Sequence, residues 1–126
     1  MPGISRTTRQ SILDTLFAAG AYVALFTVAP TATGGGTECT GGSYARKQHL
    51  LWHAATAAEP SVVTNNGQIL FVTATAGWGA VVAFALFNSA LPGGTMLAYG
   101  TCAKTISSGD TASFADAVLA VTLNET

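Results

Sequence analysis

The stretch GQILFVTATAGWGAVVAFALFN, residues 67–88, decides the fold of this chain. It reads as β-strands broken by glycine: β-branched and aromatic residues predict one strand over Gly67 to Thr75 and a second, buried one over Val81 to Asn88. The stretch sits in a longer run, from Pro60 to Ala103, that holds no Asp, Glu, Lys, Arg or His. Antiparallel strands facing water normally alternate apolar with polar residues, and charge marks the wet side. Here the outward positions fall to Ala, Thr, Ser, Asn and Gly, which suit the surface of another protein better than they suit water. The first expectation is therefore a sheet protein that meets other proteins.

Working outward, turns and strands continue in both directions. Leu91-Pro92-Gly93-Gly94 predicts a turn into a strand from Thr95 to Thr101, and Ser107-Ser108-Gly109-Asp110 predicts a second tight turn in which Asp110 accepts from nearby backbone amides. Ala112 to Phe114 and Ala117 to Leu123 complete the sheet. Upstream, Tyr22 to Thr27 is a strand closed by Ala29-Pro30-Thr31, Tyr44 to His53 another, and Pro60 to Asn66 a connection or short strand. Ser5 to Ala19 predicts a helix, capped by Thr7 or Thr8, with Ile12, Leu13, Leu16 and Phe17 at helical spacing and Gly20 as its stop. It packs on its own domain or reaches a neighbour as a swapped arm. The expected architecture is all-β: one domain over 1–126, an antiparallel, jelly-roll-like β-sandwich at 21–123 with one N-terminal α-helix at 5–19. Phe71, Phe84, Leu86, Phe87 and Leu97 are the expected core.

Composition narrows the function. The chain has 126 residues, of which 9% are charged, against about 25% in ordinary soluble domains, and its formal net charge is −1. No basic cluster offers the footprint that phosphate binding leaves, so nucleic acid is excluded as a partner. A spanning helix needs about 20 nearly continuous apolar residues; the best run, Trp78 to Phe87, is about half that and is interrupted by glycine, so no membrane partner is expected. Arg6 and Arg9 before Ile12–Val28 resemble the charged and apolar regions of a signal peptide, but Asp14 within the apolar part and the lack of a small-x-small site before Pro30 argue against cleavage. Cys39 and Cys102 stand far apart in sequence, open to one disulfide but expected as free, partly buried thiols in a reducing cytoplasm.

Motifs for chemistry fail on spacing. The triple glycine Gly34-Gly35-Gly36 lacks the Lys-Ser/Thr ending and following helix of a phosphate cradle, and reads as a turn or contact surface. His49 and His53 lack the Glu of a helical metal motif, and on a strand they lie about 13 Å apart, too far to share an ion. The carboxylates are scattered, and no Ser sits in a strained elbow. No catalytic residue, cofactor or metal is expected, and the chain is not expected to be an enzyme; His49 or His53 beside Asp and Ser in space would reopen the hydrolase reading. Trp78, between Gly77 and Gly79, reads as core, with a carbohydrate-stacking or partner-facing role as the alternative.

Tyr22 to Thr27, Ala29-Pro30-Thr31, Gly34 to Glu38 and Gly41 to Arg46 run in an order that resembles small virion proteins of tailed bacteriophages. Ile12-Leu13-Asp14, Ala74-Thr75-Ala76 with Trp78-Gly79, Leu97 to Gly100, Gly109-Asp110-Thr111 with Phe114, and Val121-Thr122-Leu123 extend the likeness over most of the chain. The resemblance implies a virion structural protein, assembled in the host cytoplasm. The leading expectation is a head decoration or cement protein, placed on the capsid surface as a dimer or trimer and bound in many copies to the major capsid protein. The alternative is a short tail-fibre module whose partners are tail proteins or a bacterial surface glycan. An adhesin should expose aromatic and carboxylate residues together at one end, whereas the loops here are dominated by Gly, Thr and Ser, which tilts the reading towards cement. Expected interface residues are Arg9, Leu13, Phe17, Gly35, Thr37, Tyr44, Trp52 and Trp78.

Overall fold

A computed structural model describes residues 4–57, 61–90 and 94–123. Its elements are α1 (Arg6–Phe17), β1 (Ala21–Val28), β2 (Thr37–Glu38), β3 (Lys47–His49), β4 (Ser61–Thr64), β5 (Ile69–Thr73), β6 (Gly79–Phe87), β7 (Met96–Ile106), β8 (Thr111–Phe114) and β9 (Ala120–Leu123). The fold is mostly antiparallel sheet with a single short N-terminal helix, in keeping with the expected all-β, sandwich-like class. Two compact units form: the first takes the chain up to Gly20, His49–Ile69 and the chain from Phe114 onward, the second Ala21–Gln48 and Leu70–Ser113. No helix among the described residues is long and apolar enough to cross a membrane.

In the second unit the strand order is β2-β1-β6-β7, with β3 also pairing β1. The register sets Val23 opposite Leu86 and Leu25 opposite Phe84, and between them, on the other face, Ala24 opposite Ala85 and Phe26 opposite Ala83. All eight are buried, which is why β1 and β6 read as apolar on both sides. Ala24, Phe26, Ala83 and Ala85 form one cluster, against which Phe87 and Met96 pack. On β7, Gly100 lies opposite Phe84, and a Cβ there would come within 2.8 Å of two ring carbons, so the absent side chain makes room for the ring. Trp78 is buried, edge-on to Tyr44 and Phe71, and its indole N–H donates to the Gly42 carbonyl.

In the first unit, α1 is capped by Ser5, whose hydroxyl accepts from the Thr8 N–H at 3.2 Å, and the helix yields to Gly20 at φ +80°. The cap is thus Ser5, not Thr7 or Thr8: the extended backbone that capping needs occurs at Ser5 (φ −63°, ψ 154°), while Thr7 and Thr8 are already helical. Leu13 and Phe17 are buried, Phe17 against the Trp52 ring at 4.7 Å, and the Gln10 side chain and the Asp14 carboxylate hold the two backbone groups of Ala55. β4 and β9 pair antiparallel.

Three further expectations change. The predicted strand Tyr44–His53 shortens to Lys47–His49, because left-handed backbone at Gly41, Gly42 and Ser43 turns the chain at Tyr44, and Trp52 keeps only an isolated bridge to Asn65. β7 runs on to Ile106, since the opposite half of β6, from Gly79 to Val81, pairs with Lys104 to Ile106. Phe71, Phe84 and Leu86 are core, but Phe87 and Leu97 are half-buried. Pro60 and the turn residues Leu91, Pro92 and Gly93 lie outside the described residues.

Candidate ligand cavity

The site begins with a short turn after β1. Thr31 and Gly34 exchange backbone hydrogen bonds in both directions, each at 2.9 Å, and the Thr31 hydroxyl adds a third bond to the Gly34 carbonyl. The chain then passes through three successive left-handed residues, Gly34, Gly35 and Gly36, at φ +100°, +81° and +76°. A side chain at Gly36 would also strike the Val28 carbonyl at 2.5 Å, whereas Gly34 and Gly35 face open space. Glycine is therefore required here by backbone conformation.

This loop delivers β2 to the edge of β1, where Glu38 lies opposite Phe26. The Glu38 carboxylate is gripped from two sides. Arg46 donates from Nε to Oε2 and from Nη2 to Oε1, both at 2.9 Å, a bidentate pair, and the Tyr44 hydroxyl donates to Oε2 at 2.7 Å. Tyr44 in turn accepts the Leu25 N–H of β1 at 3.0 Å. Arg46 Nη1 donates to the Ser89 carbonyl, and its guanidinium stands 3.8 Å from the centroid of the Phe87 ring. The Arg46 side chain is 5% exposed and that of Glu38 21%. Burial and the bond to Glu38 hold the Tyr44 phenol far above its usual range, and burial, then the Glu38 charge, push the Cys39 thiol up to about 11. Both cysteines are free.

Phe26, Phe87 and Met96, the Glu38–Arg46 pair and the Gly34–Gly36 loop line a cavity of about 470 Å³, within the range of roughly 300–1,000 Å³ typical of small-ligand sites. The two phenyl rings lie nearly parallel, 16° apart with centroids at 6.3 Å. Carboxylate and aromatic side chains thus meet in one cavity, with Phe26 buried and Phe87 and Glu38 half-buried, which differs from the exposed cluster at one end that the adhesin expectation called for.

Of the expected interface residues, Gly35 lines this cavity, Thr37 is exposed on β2, and Tyr44 buttresses Glu38 from behind. Arg9, Leu13, Phe17 and Trp78 lie buried within their own units, and Trp52 is half-buried in the first. Glu38, Arg46, Phe26 and Phe87 were not foreseen as a site. The available signal was an acidic and a basic residue eight apart, just after the triple glycine and on either side of Gly41-Gly42, in a chain with so few charges.

The histidines do separate things. His49 Nε2 meets the Asn66 carbonyl, and His53 Nε2 lies 3.1 Å from Asp116 Oδ1, with both side chains near half exposed. Asp116 also accepts the Gly67 N–H, and these two contacts, the amide first, hold its carboxyl below the usual range. Among the described residues no serine or cysteine hydrogen-bonds His53, so the pair fastens a loop and lacks the third member of a nucleophilic triad. Among the same residues no group of three or more His, Cys, Asp or Glu could hold a metal.

A family model described as Podophage GP4 fiber I protein gp80 matches residues 3–122. No curated protein and no solved structure matches the chain.

Proposed function

From the chain's membership of the podophage GP4 fiber I protein gp80 family, we propose that it works as a module of the phage fibre and uses the Glu38–Phe87 cavity to hold a bacterial surface glycan. The family makes it a virion structural protein, and its description as a fibre protein favours the fibre over the capsid lattice. The observation that carries the glycan reading is the cavity, where a fixed carboxylate meets two phenyl rings and a loop of bare peptide groups. Sugars are bound by that combination: aromatic faces take the C–H surfaces, and fixed acceptors take the hydroxyls. Among the described residues Glu38 is the one carboxylate lining the cavity, whereas glycoside hydrolysis generally works with two, so the activity proposed is binding without turnover.

Two measurements test this. Immunogold labelling of intact particles should place the chain on fibres in a few to a few tens of copies; label spread over the head in hundreds of copies would return the chain to the cement class. Purified protein should also bind cell-envelope polysaccharide from the phage's host. Thr33→Trp, on the exposed turn at the cavity rim, should abolish that binding without changing the circular dichroism spectrum.

A further inference from the structure

We infer that the cavity selects uncharged saccharides and discriminates against uronic and sialic acids on one side and amino sugars on the other. The inference rests on the glycan reading and specifies its ligand. Charge balance within the cavity is the reason: among the described residues, Glu38 and Arg46 are its only ionisable lining residues, and they neutralise each other in a bidentate pair. An acidic sugar is ordinarily captured by an arginine fork with donors to spare. Here Nε and Nη2 of Arg46 are turned onto Glu38, Nη1 onto Ser89, and one guanidinium face onto Phe87, in a side chain 5% exposed. Recruiting that fork for a ligand carboxylate would strip Glu38 of its partner and leave two carboxylates side by side in a partly enclosed space, where like charges repel strongly. An ammonium group meets the opposite obstacle, because the guanidinium already occupies the carboxylate.

A hydroxyl meets neither obstacle. Glu38 Oε2 already accepts two bonds, from Tyr44 and Arg46 Nε, whereas Oε1 accepts one, from Arg46 Nη2. A carboxylate oxygen has two lone-pair sites, so Oε1 retains one acceptor position, on the more exposed member of the pair. A sugar O–H fills it without disturbing the salt bridge. The ring's C–H face then lies against the half-buried Phe87 and Met96, and the bare loop at Gly34–Gly36 lets the saccharide approach the backbone closely.

The test uses the purified full chain, ¹⁵N-labelled, titrated with methyl glycosides of glucose, galactose and N-acetylglucosamine, and with the matching glucuronide, galacturonide and glucosaminide. At least one neutral glycoside should shift the Gly34, Gly35 and Gly36 amide signals and bind ten times or more tighter than its charged counterparts. Glu38→Gln should weaken that binding at least tenfold. Because this substitution also loosens Arg46, Thr33→Trp serves as the second variant: it leaves the ion pair in place and should block the same titration. A uronide or amino sugar binding as tightly as its neutral partner would overturn the selectivity while leaving a glycan site. Silence of the loop amides towards every glycoside at 50-fold excess over protein would overturn the selectivity and the glycan reading together.

Discussion

Cys39 follows Glu38 directly, and its backbone N–H is bonded to the Leu25 carbonyl. Its thiol is raised from 9.0 to about 11 by burial and by the neighbouring carboxylate. The sign of the pH effect follows: the folded chain holds a proton that the unfolded chain releases, so this contribution is complete below about pH 9 and is lost as pH rises towards 11. Urea midpoints measured from pH 8 to 11 should fall, and the fall should be shallower in Cys39→Ala. A second residue-scale prediction concerns Asn65, which is fully buried in the first unit. Its amide donates to the carbonyls of Gly67 and Ala115 and its oxygen accepts the Leu119 N–H. Asn65→Ala strands these groups and should cost about 3 kcal/mol in equilibrium unfolding; a loss below about 1 kcal/mol would show that solvent replaces the bonds. Neither role could be read from sequence. Asn65-Asn66-Gly67 looks like ordinary turn chemistry, and only tertiary structure brings residues about fifty positions away onto one amide.

Among the elements, those with a strong local pattern were legible: β1 and β6 by their apolar runs, α1 by its spacing and by Gly20, and the 107–110 turn by its composition. Ser5→Ala removes the cap of α1 and should cost about 1 kcal/mol, recovered by Ser5→Asp. Gly100→Ala drives a methyl group into the Phe84 ring and should cost about 1–3 kcal/mol, measured by thermal melting; an unchanged melting temperature would mean that the ring is free to shift. The segment after Gly42 was misread because Tyr44 and Arg46 have the alternation and bulk of strand residues. In the fold their side chains satisfy hydrogen bonds to Leu25, Glu38 and Ser89, and the pairing of Lys47–His49 is all that remains of the strand. The cavity was illegible for the same reason: its polar wall comes from the Gly34–Gly36 loop, β2 and the irregular segment before β3, and its apolar wall from β1, β6 and β7.

For the molecule as a whole, the scarcity of charge holds in three dimensions. Leu70, Val72 and Val82, on strands of the uncharged run, are 50%, 51% and 42% exposed, outward positions where a soluble sheet would usually carry charge. Association with copies or with other virion proteins through such a surface should depend little on ionic strength. Sedimentation equilibrium of the purified chain from about 0.05 to about 0.5 M salt should give nearly the same association constant; a tenfold weakening would point to ion pairs as the glue. The sequence carried this property openly, since composition needs no fold to be read.

The phenol of Tyr44 joins the Leu25 amide of β1 to the acid that lines the cavity, so on the glycan reading proposed above the scaffold and the recognition chemistry would share one fastening. A phage that altered Glu38 to follow a changing receptor would loosen the sheet with the same mutation. Ala32 and Thr33, exposed at the rim, carry no such burden. Host-range mutants selected on resistant bacteria should therefore accumulate at these two positions and leave Glu38, Tyr44 and Arg46 untouched.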